Sequence, residues 1–253
     1  MGATWVMLRG LGRESGHWGP FLPALETAAP DSEVVTLDLP GTGARLHDRA
    51  PRTMRETVDR VRDEASARGL LRERVLLFGI SLGGMVAMEW ASAHPEELAG
   101  VAIAASSASD IAPLLKRFSA LGFANVVLNR LTRDPVRRQR RLAWLVSNRR
   151  DLRDRVVREW VQIERDRPVS FRTIRAQMDA ASRWKAPTSL RVPSLFLVGR
   201  KDRLVHPDCS RALARRFAAP LEEHPDAGHD LTTDAPEWVV DRCIRWASRL
   251  LRQ

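Results

Sequence analysis

Short apolar runs alternate with amphipathic stretches along most of the chain. TWVMLR (residues 4–9), EVVTLDLP (33–40), RVLLFGI (74–80), LAGVAIAAS (98–106) and VPSLFLVG (192–199) are brief, apolar and ended by turn-forming residues, which predicts strands. APLEEHP (219–225) predicts a further, short edge strand. Between them the apolar residues fall at helical spacing. Trp18, Phe21, Leu22 and Leu25 share one face, as do Met54, Val58 and Val61, in a helix that Thr53 and Glu56 open with capping-box spacing and Gly69 ends. Helices are also predicted over 82–93, 207–217 and 236–251, the last carrying Trp238, Val239, Cys243, Trp246 and Leu250. Strands that alternate with helices argue for a parallel sheet covered on both sides.

The rhythm fails over 108–188. That segment offers helices, such as 151–165 with Leu152, Val156, Trp160 and Ile163 on one face, but no convincing strand. We read it as a helical insertion, a cap docked on a core formed by 1–107 and 189–253. At 253 residues with 44% hydrophobic and 28% charged content, the chain fits one soluble core with such an insertion. No apolar run approaches the roughly 18 residues of a membrane span. The N-terminus lacks the segments of a secretory signal, and Cys209 and Cys243 are too few for a disulfide framework or a zinc site, so a reducing cytoplasm is the expected setting. The net charge of +10 is almost wholly arginine, since Lys116, Lys185 and Lys201 are the only lysines. These arginines are interleaved with Asp and Glu, which predicts balanced, solvated faces rather than a polyanion-binding block. Eight tryptophans and no tyrosine have no evident reason in the sequence.

The run LLFGISLGGMVAMEW changes from strand to helix around Gly79-Ile80-Ser81-Leu82-Gly83. A serine on such a turn holds its hydroxyl above the sheet, and the flanking glycines make room for the close strand and helix. The helix that follows directs its N-terminal dipole and the Leu82 amide at a developing oxyanion. The alternative is a serine that only caps a helix. A nucleophilic serine needs a histidine base oriented by a carboxylate. His229, in Asp226-Ala227-Gly228-His229-Asp230 between the last short strand and the final helix, is the candidate base. His47, His94, His206 and His224 read as structural, and His17 either lines the site entrance or begins the first helix. Asp202, just after the strand SLFLVG, is the candidate carboxylate, with Asp110 as competitor. Asp230 reads as a surface residue or turn former.

The segments LRGLGRESGHW, DLPGTG, GISLGG, VGRKDRLVHP and AGHDLTTDAPEWV resemble the α/β-hydrolase family, and the order Ser81, Asp202, His229 is the one expected of it. The resemblance implies an α/β fold with a mostly or wholly parallel sheet of about six strands, flanked by helices and carrying a helical cap. It implies that the backbone amides of Leu11 and Leu82 form the oxyanion hole. Arg9-Gly10 stands where many members carry His-Gly. Arg9 is expected to bond loop carbonyls, with an anionic substrate group as the alternative partner. The chain begins on what corresponds to the family's third strand, so the usual leading antiparallel hairpin is expected to be missing.

The expected activity is hydrolysis of a carboxylic ester through an acyl-enzyme at Ser81, with thioester hydrolysis close behind. Acyltransferase, carbon–carbon bond hydrolase and cofactor-free haloperoxidase chemistry use the same machinery and stay open. No cofactor or metal is called for. The expected partner is a small acyl substrate, hydrophobic or linked to CoA or a carrier. Leu114, Leu115, Phe118, Phe123, Trp144 and Trp160 suggest either an apolar acyl pocket or the cap's own core. Outside catalysis, a basic anion- or nucleic-acid-binding protein is the alternative. No nucleic-acid-binding motif is present, so no such partner is expected.

Overall fold

The computed structural model describes residues 3–252, with the side chains of Leu114 and Lys116 outside the description. Strands β1 (Thr4–Leu8), β2 (Glu33–Leu37), β3 (Val75–Ile80), β4 (Leu98–Ala104), β5 (Ser194–Gly199) and β6 (Leu221–His224) form one sheet in the order β2-β1-β3-β4-β5-β6. Each neighbouring pair is parallel. The helices in chain order are α1 (Phe21–Ala28), α2 (Met54–Ala67), α3 (Leu82–Ala93), α4 (Leu114–Arg117), α5 (Ala120–Leu131) and α6 (Pro135–Val146). Then come α7 (Arg153–Asp166), α8 (Phe171–Arg183), α9 (Asp208–Arg216), α10 (Leu231–Asp234) and α11 (Pro236–Leu250).

The strand sequences look uniformly apolar because both faces are covered, yet a period of two persists within them. Val6 and Leu8 of β1, with Val75 and Leu77 of β3, join the core beneath α2, α3 and α9. Trp5 and Met7, with Leu76 and Phe78, turn to the opposite core beneath α1 and α11. β3 and β5 are buried along their full length, whereas β2 and β6 at the two edges are only partly covered. Each fully buried side chain of this size contributes about 1.5–3 kcal/mol.

Local chemistry sets the element ends. The first apolar face splits in two, because Gly19 (φ 52°) and Pro20 separate a short 3-10 turn, Ser15–Trp18, from α1. Thr53 accepts the Glu56 amide at the start of α2, and Gly69 at φ 70° follows its end. β2 stops at Leu37 because Asp38 turns inward, accepting bonds from Ser15 N (2.7 Å), Ser15 Oγ (2.7 Å) and Ala44 N (2.8 Å). Helices α4 to α8 all fall between β4 and β5. Ser119, Asp134 and Ser170 cap α5, α6 and α8 with their side chains. α6 and α7 enclose a small core of their own around Leu145, Val157 and Trp160.

The sheet order places the reversal of winding between β1 and β3. β1 leads to α1 on one face and β3 leads to α3 on the other, so a crevice opens at their carboxyl ends. Phe78 sits at the base of this region, its ring 5.4 Å from Phe21 and 5.8 Å from Trp18. Phe78→Ala should therefore lower stability by about 3–5 kcal/mol, read as a shift in the urea unfolding midpoint.

Candidate active site

The turn after β3 is shaped by lack of space. A Cβ at Gly83 would press into the carbonyls of Leu8 and Arg9, and one at Gly79 into the carbonyl of Gly83. Between them Ser81 takes φ 57° and ψ −115°, a conformation that only a well-anchored L-residue holds. Its amide donates to Ala104 O (2.8 Å), and its carbonyl accepts from Gly84 N (3.0 Å), Met85 N (3.2 Å) and Ser106 Oγ (2.9 Å). Ser81 thus stands at the head of α3, where Leu82 supplies a first-turn amide that needs no intrahelical acceptor. The Leu82 side chain points into the α2–α3 core, so only its backbone faces this chemistry.

The turn after β1 abuts the same place. A Cβ on Gly10 would lie 3.2 Å from Ser81 Cβ, and Arg13 N closes the turn by donating to Gly10 O at 3.1 Å. Leu11 lies within this turn and lines the cavity. Gln177 of α8 holds the turn from above, accepting from Gly12 N at 2.8 Å.

His229 and Asp202 meet across the loops that follow β6 and β5. His229 Nδ1 lies 2.7 Å from Asp202 Oδ2, with 7% and 0% of the two side chains exposed. The other carboxylate oxygen accepts from Leu204 N (2.7 Å) and Val205 N (2.9 Å). Asp202 is an acceptor on both oxygens, so Nδ1 carries the hydrogen and Nε2 presents a lone pair. A cavity of about 630 Å³ is lined by Ser81, His229, Leu11, His17 and Arg9, with Phe118, Leu142, Val146 and Ile174 among its apolar walls.

Asp110 is committed elsewhere: it accepts from Ala186 N (3.0 Å) and pairs with Arg216 (2.5 Å). His47 and His206 are exposed. His224 Nδ1 accepts from Asp226 N and Ala227 N, and His94 N closes the end of α3 on Trp90 O. His17 belongs to the 3-10 turn and also lines the cavity, accepting from Glu14 N at 3.1 Å. Burial, then the nearby Arg13 and Arg9, push its pKa well below the ordinary histidine range and keep it neutral.

Two expectations are corrected. Asp230 is not a surface residue, and Arg9 bonds side chains rather than loop carbonyls. Arg9 Nη2 reaches Asp230 Oδ2 at 2.7 Å with 5% and 4% of the side chains exposed, and Arg9 Nη1 donates to Thr232 Oγ1 at 3.1 Å. The Arg9 guanidinium lies 4.6 Å above the Trp18 ring. Its charge is thus matched by Asp230 inside the protein, while Nε is buried without a partner among the described residues. Asp230 also caps α10 by accepting from Thr233 N. Of the apolar residues suggested for the pocket, Phe118 lines the cavity, and Phe123 packs edge-on against it at 4.8 Å. Leu115 and Trp144 are exposed, Trp160 is buried beside the cavity, and the Leu114 side chain lies outside the described residues.

Asp234 was not singled out by sequence reasoning. Its buried carboxylate accepts from Gly228 N (2.6 Å), Ser147 Oγ (2.5 Å) and Asn148 N (3.0 Å). Asp230 N donates to Val146 O at 2.8 Å, so the His229 loop is fastened on both sides to the end of α6. The repeated acidic positions in AGHDLTTDAPEWV were the only trace of this in the sequence.

The model of the Alpha/beta hydrolase family matches residues 5–242. A pimeloyl-[acyl-carrier protein] methyl ester esterase of Chromobacterium violaceum is 37% identical over 102 residues, 40% of this chain and 36% of that protein. The biotin biosynthesis bifunctional protein BioHC of Teredinibacter turnerae is 26% identical over 82% of this chain and 38% of its own length. The chain thus spans little more than a third of these curated relatives. A thermophilic esterase from Thermogutta terrifontis superposes with a TM-score of 0.76 at 22% identity, covering 99% of this chain and 91% of that one. At that identity the likeness speaks for the fold alone.

Burial acts to raise the Asp230 pKa, but the Arg9 charge and hydrogen bond, with help from Thr232 and Arg13, overcome it and hold the group at about 2. The folded value lies below the unfolded one of about 3.9, so this stabilisation is complete above the unfolded value and is lost as pH falls towards 2. Asp230→Asn, which strands the Arg9 charge, should cost about 3–5 kcal/mol at pH 7. In urea titrations the gap between wild type and variant should narrow as pH falls from about 4 towards 2.

Proposed function

The chain belongs to the alpha/beta hydrolase family, and from that membership we propose that it hydrolyses carboxylic esters through an acyl-enzyme at Ser81. The observation that carries the reading is the 2.7 Å bond between His229 Nδ1 and Asp202, in a cavity that both Ser81 and His229 line. With Nδ1–H held by Asp202, His229 Nε2 accepts the Ser81 proton as Oγ attacks the ester carbonyl. The imidazolium then donates that proton to the departing alcohol. A water, deprotonated in turn by Nε2, releases the acid and restores the serine. Asp202 stabilises the imidazolium and fixes the ring, while the Leu11 and Leu82 amides receive the negative oxygen. Each such donor is worth about 3–4 kcal/mol to the transition state in comparable sites.

Helices α4 to α8 serve as a cap over this chemistry, with a boundary near residues 108–188. Their small core around Trp160 and their hydrogen bonds to both active-site loops, Gln177 with Gly12 and Val146 and Ser147 with Asp230 and Asp234, support that role. The apolar walls at Phe118, Leu142, Val146 and Ile174 suit a hydrocarbon acyl group. A carrier-linked acyl ester is the finer reading of the substrate. One curated relative is named as acting on pimeloyl-[acyl-carrier protein] methyl ester, and exposed Arg130 and Arg133 border the cavity here. Turnover of acyl-CoA should then fall with rising salt while turnover of a neutral ester does not. Equal salt responses would count against it.

Ser81→Ala should abolish labelling by a fluorophosphonate probe, and undiminished labelling would overturn the nucleophile assignment. Asp202→Asn places the hydrogen on the wrong imidazole nitrogen and should lower kcat on p-nitrophenyl esters by about 10⁴-fold.

A further inference from the structure

Three carboxylates line the cavity among the described residues, and each is already matched. Asp230 is paired with Arg9, and Glu14 accepts both oxygens' worth of bonds from Arg167. Glu164 accepts from Arg138 Nε (2.7 Å) and Gln139 Nε2 (2.8 Å). His17 is neutral, as burial and the neighbouring arginines require. Arg130 and Arg133 also line the cavity but are exposed, so water solvates them.

Arg13 is the cation left over. It lines the cavity with only 9% of its surface exposed. Among the described residues its guanidinium forms no ion pair and donates no hydrogen bond, and Nη2 is buried without a partner. Its Cζ lies 3.7 Å from the Trp160 ring centroid, a cation–π contact that helps fix the group in place but supplies no hydrogen-bond acceptor for its N–H donors. Burial of an unpaired charge with idle donors opposes folding, and a bound counter-ion removes that cost. The location is also specific. Arg13 closes the turn that carries Leu11, so the free guanidinium is tied to the same turn as a proposed oxyanion donor.

We propose that Arg13 is an anion subsite of this cavity and holds a carboxylate carried by the ester substrate. A planar guanidinium matches a carboxylate through paired N–H donors, and the apolar walls accept the methylenes between that carboxylate and the ester. The preferred substrate is thus a half-ester of a dicarboxylic acid rather than a simple fatty acyl ester. Its turnover rests on the esterase reading above; its binding does not.

The test compares mono-p-nitrophenyl adipate with p-nitrophenyl hexanoate, which match in acyl length and differ in the terminal carboxylate. Wild type should prefer the adipate by at least tenfold in kcat/KM. Arg13→Met should erase that preference, and Arg13→Lys should keep part of it. Binding is read separately in Ser81→Ala by calorimetry, where monomethyl adipate should bind at least tenfold tighter than dimethyl adipate. Equal kcat/KM for the two p-nitrophenyl esters together with equal affinity for the two methyl esters overturns the subsite, whatever Arg13 variants do. A proportional loss on both esters in Arg13→Met, with a melting temperature several degrees lower, makes the residue structural and also overturns it. Preferential binding without turnover of any ester would sink the esterase reading and leave the anion subsite standing.

Discussion

The first turn of α3 passes so close to the end of β1 that position 83 has no room for a side chain. That approach follows from the sheet order. β1 and β3 are neighbours whose connections leave on opposite faces, so the chain after each strand must turn beside the other. Once α3 begins this near the sheet, residue 81 has to reverse direction within one peptide, and a positive φ is the result. Such strain costs of the order of 1–3 kcal/mol and survives because the surroundings over-determine it. Ala104 O and Ser106 Oγ fix the Ser81 backbone, and two apolar cores grip the sheet from either side. The exposed hydroxyl, the Leu82 amide and the neighbouring Leu11 turn are consequences of one steric arrangement.

Arginine dominates the charge balance, and the structure divides its roles. Many arginines meet carboxylates near the surface, as in Arg211 with Glu223 and Arg62 with Glu97, which is the pattern that interleaved charges suggest. A smaller set is buried, including Arg9, Arg13 and Arg117. The tryptophans acquire a reason here. Trp18, Trp160, Trp144 and Trp238 each lie beneath a guanidinium, of Arg9, Arg13, Arg203 and Arg242 respectively. An indole presents the largest π face and asks for only one hydrogen bond, so it suits arginines held at or below the surface.

What was legible in the sequence is what short-range physics governs. Apolar runs ended by turn-forming residues marked β1 to β5, the short APLEEHP marked the edge strand β6, and Thr53, Gly69 and the Gly79–Gly83 spacing marked local turns. The strand ends were less legible: EVVTLDLP reads on past Leu37, and only the distant Ser15 and Ala44 donors explain why Asp38 leaves the sheet. Asp230 failed for a related reason. Next to a histidine in a polar loop it has the look of solvent, yet its partner is Arg9, 221 positions away, at the end of the first strand. No periodicity carries information over that separation; only closure of the sheet brings the two ends of the chain together. Arg9 misleads equally, because a cation beside a cavity suggests a ligand until its counter-charge is seen.

The inserted helices take part in the site's geometry as well as covering it. Gln177 holds Gly12, Arg167 holds Glu14, and Val146, Ser147 and Asn148 hold the loop of His229 through Asp230 and Asp234. Both halves of the site, the β1 turn and the histidine loop, are thereby tied to one helical segment. Lifting that segment as a whole would leave the Glu14 and Asp234 carboxylates without partners that now stabilise their charge, a steep cost for groups otherwise shielded from water.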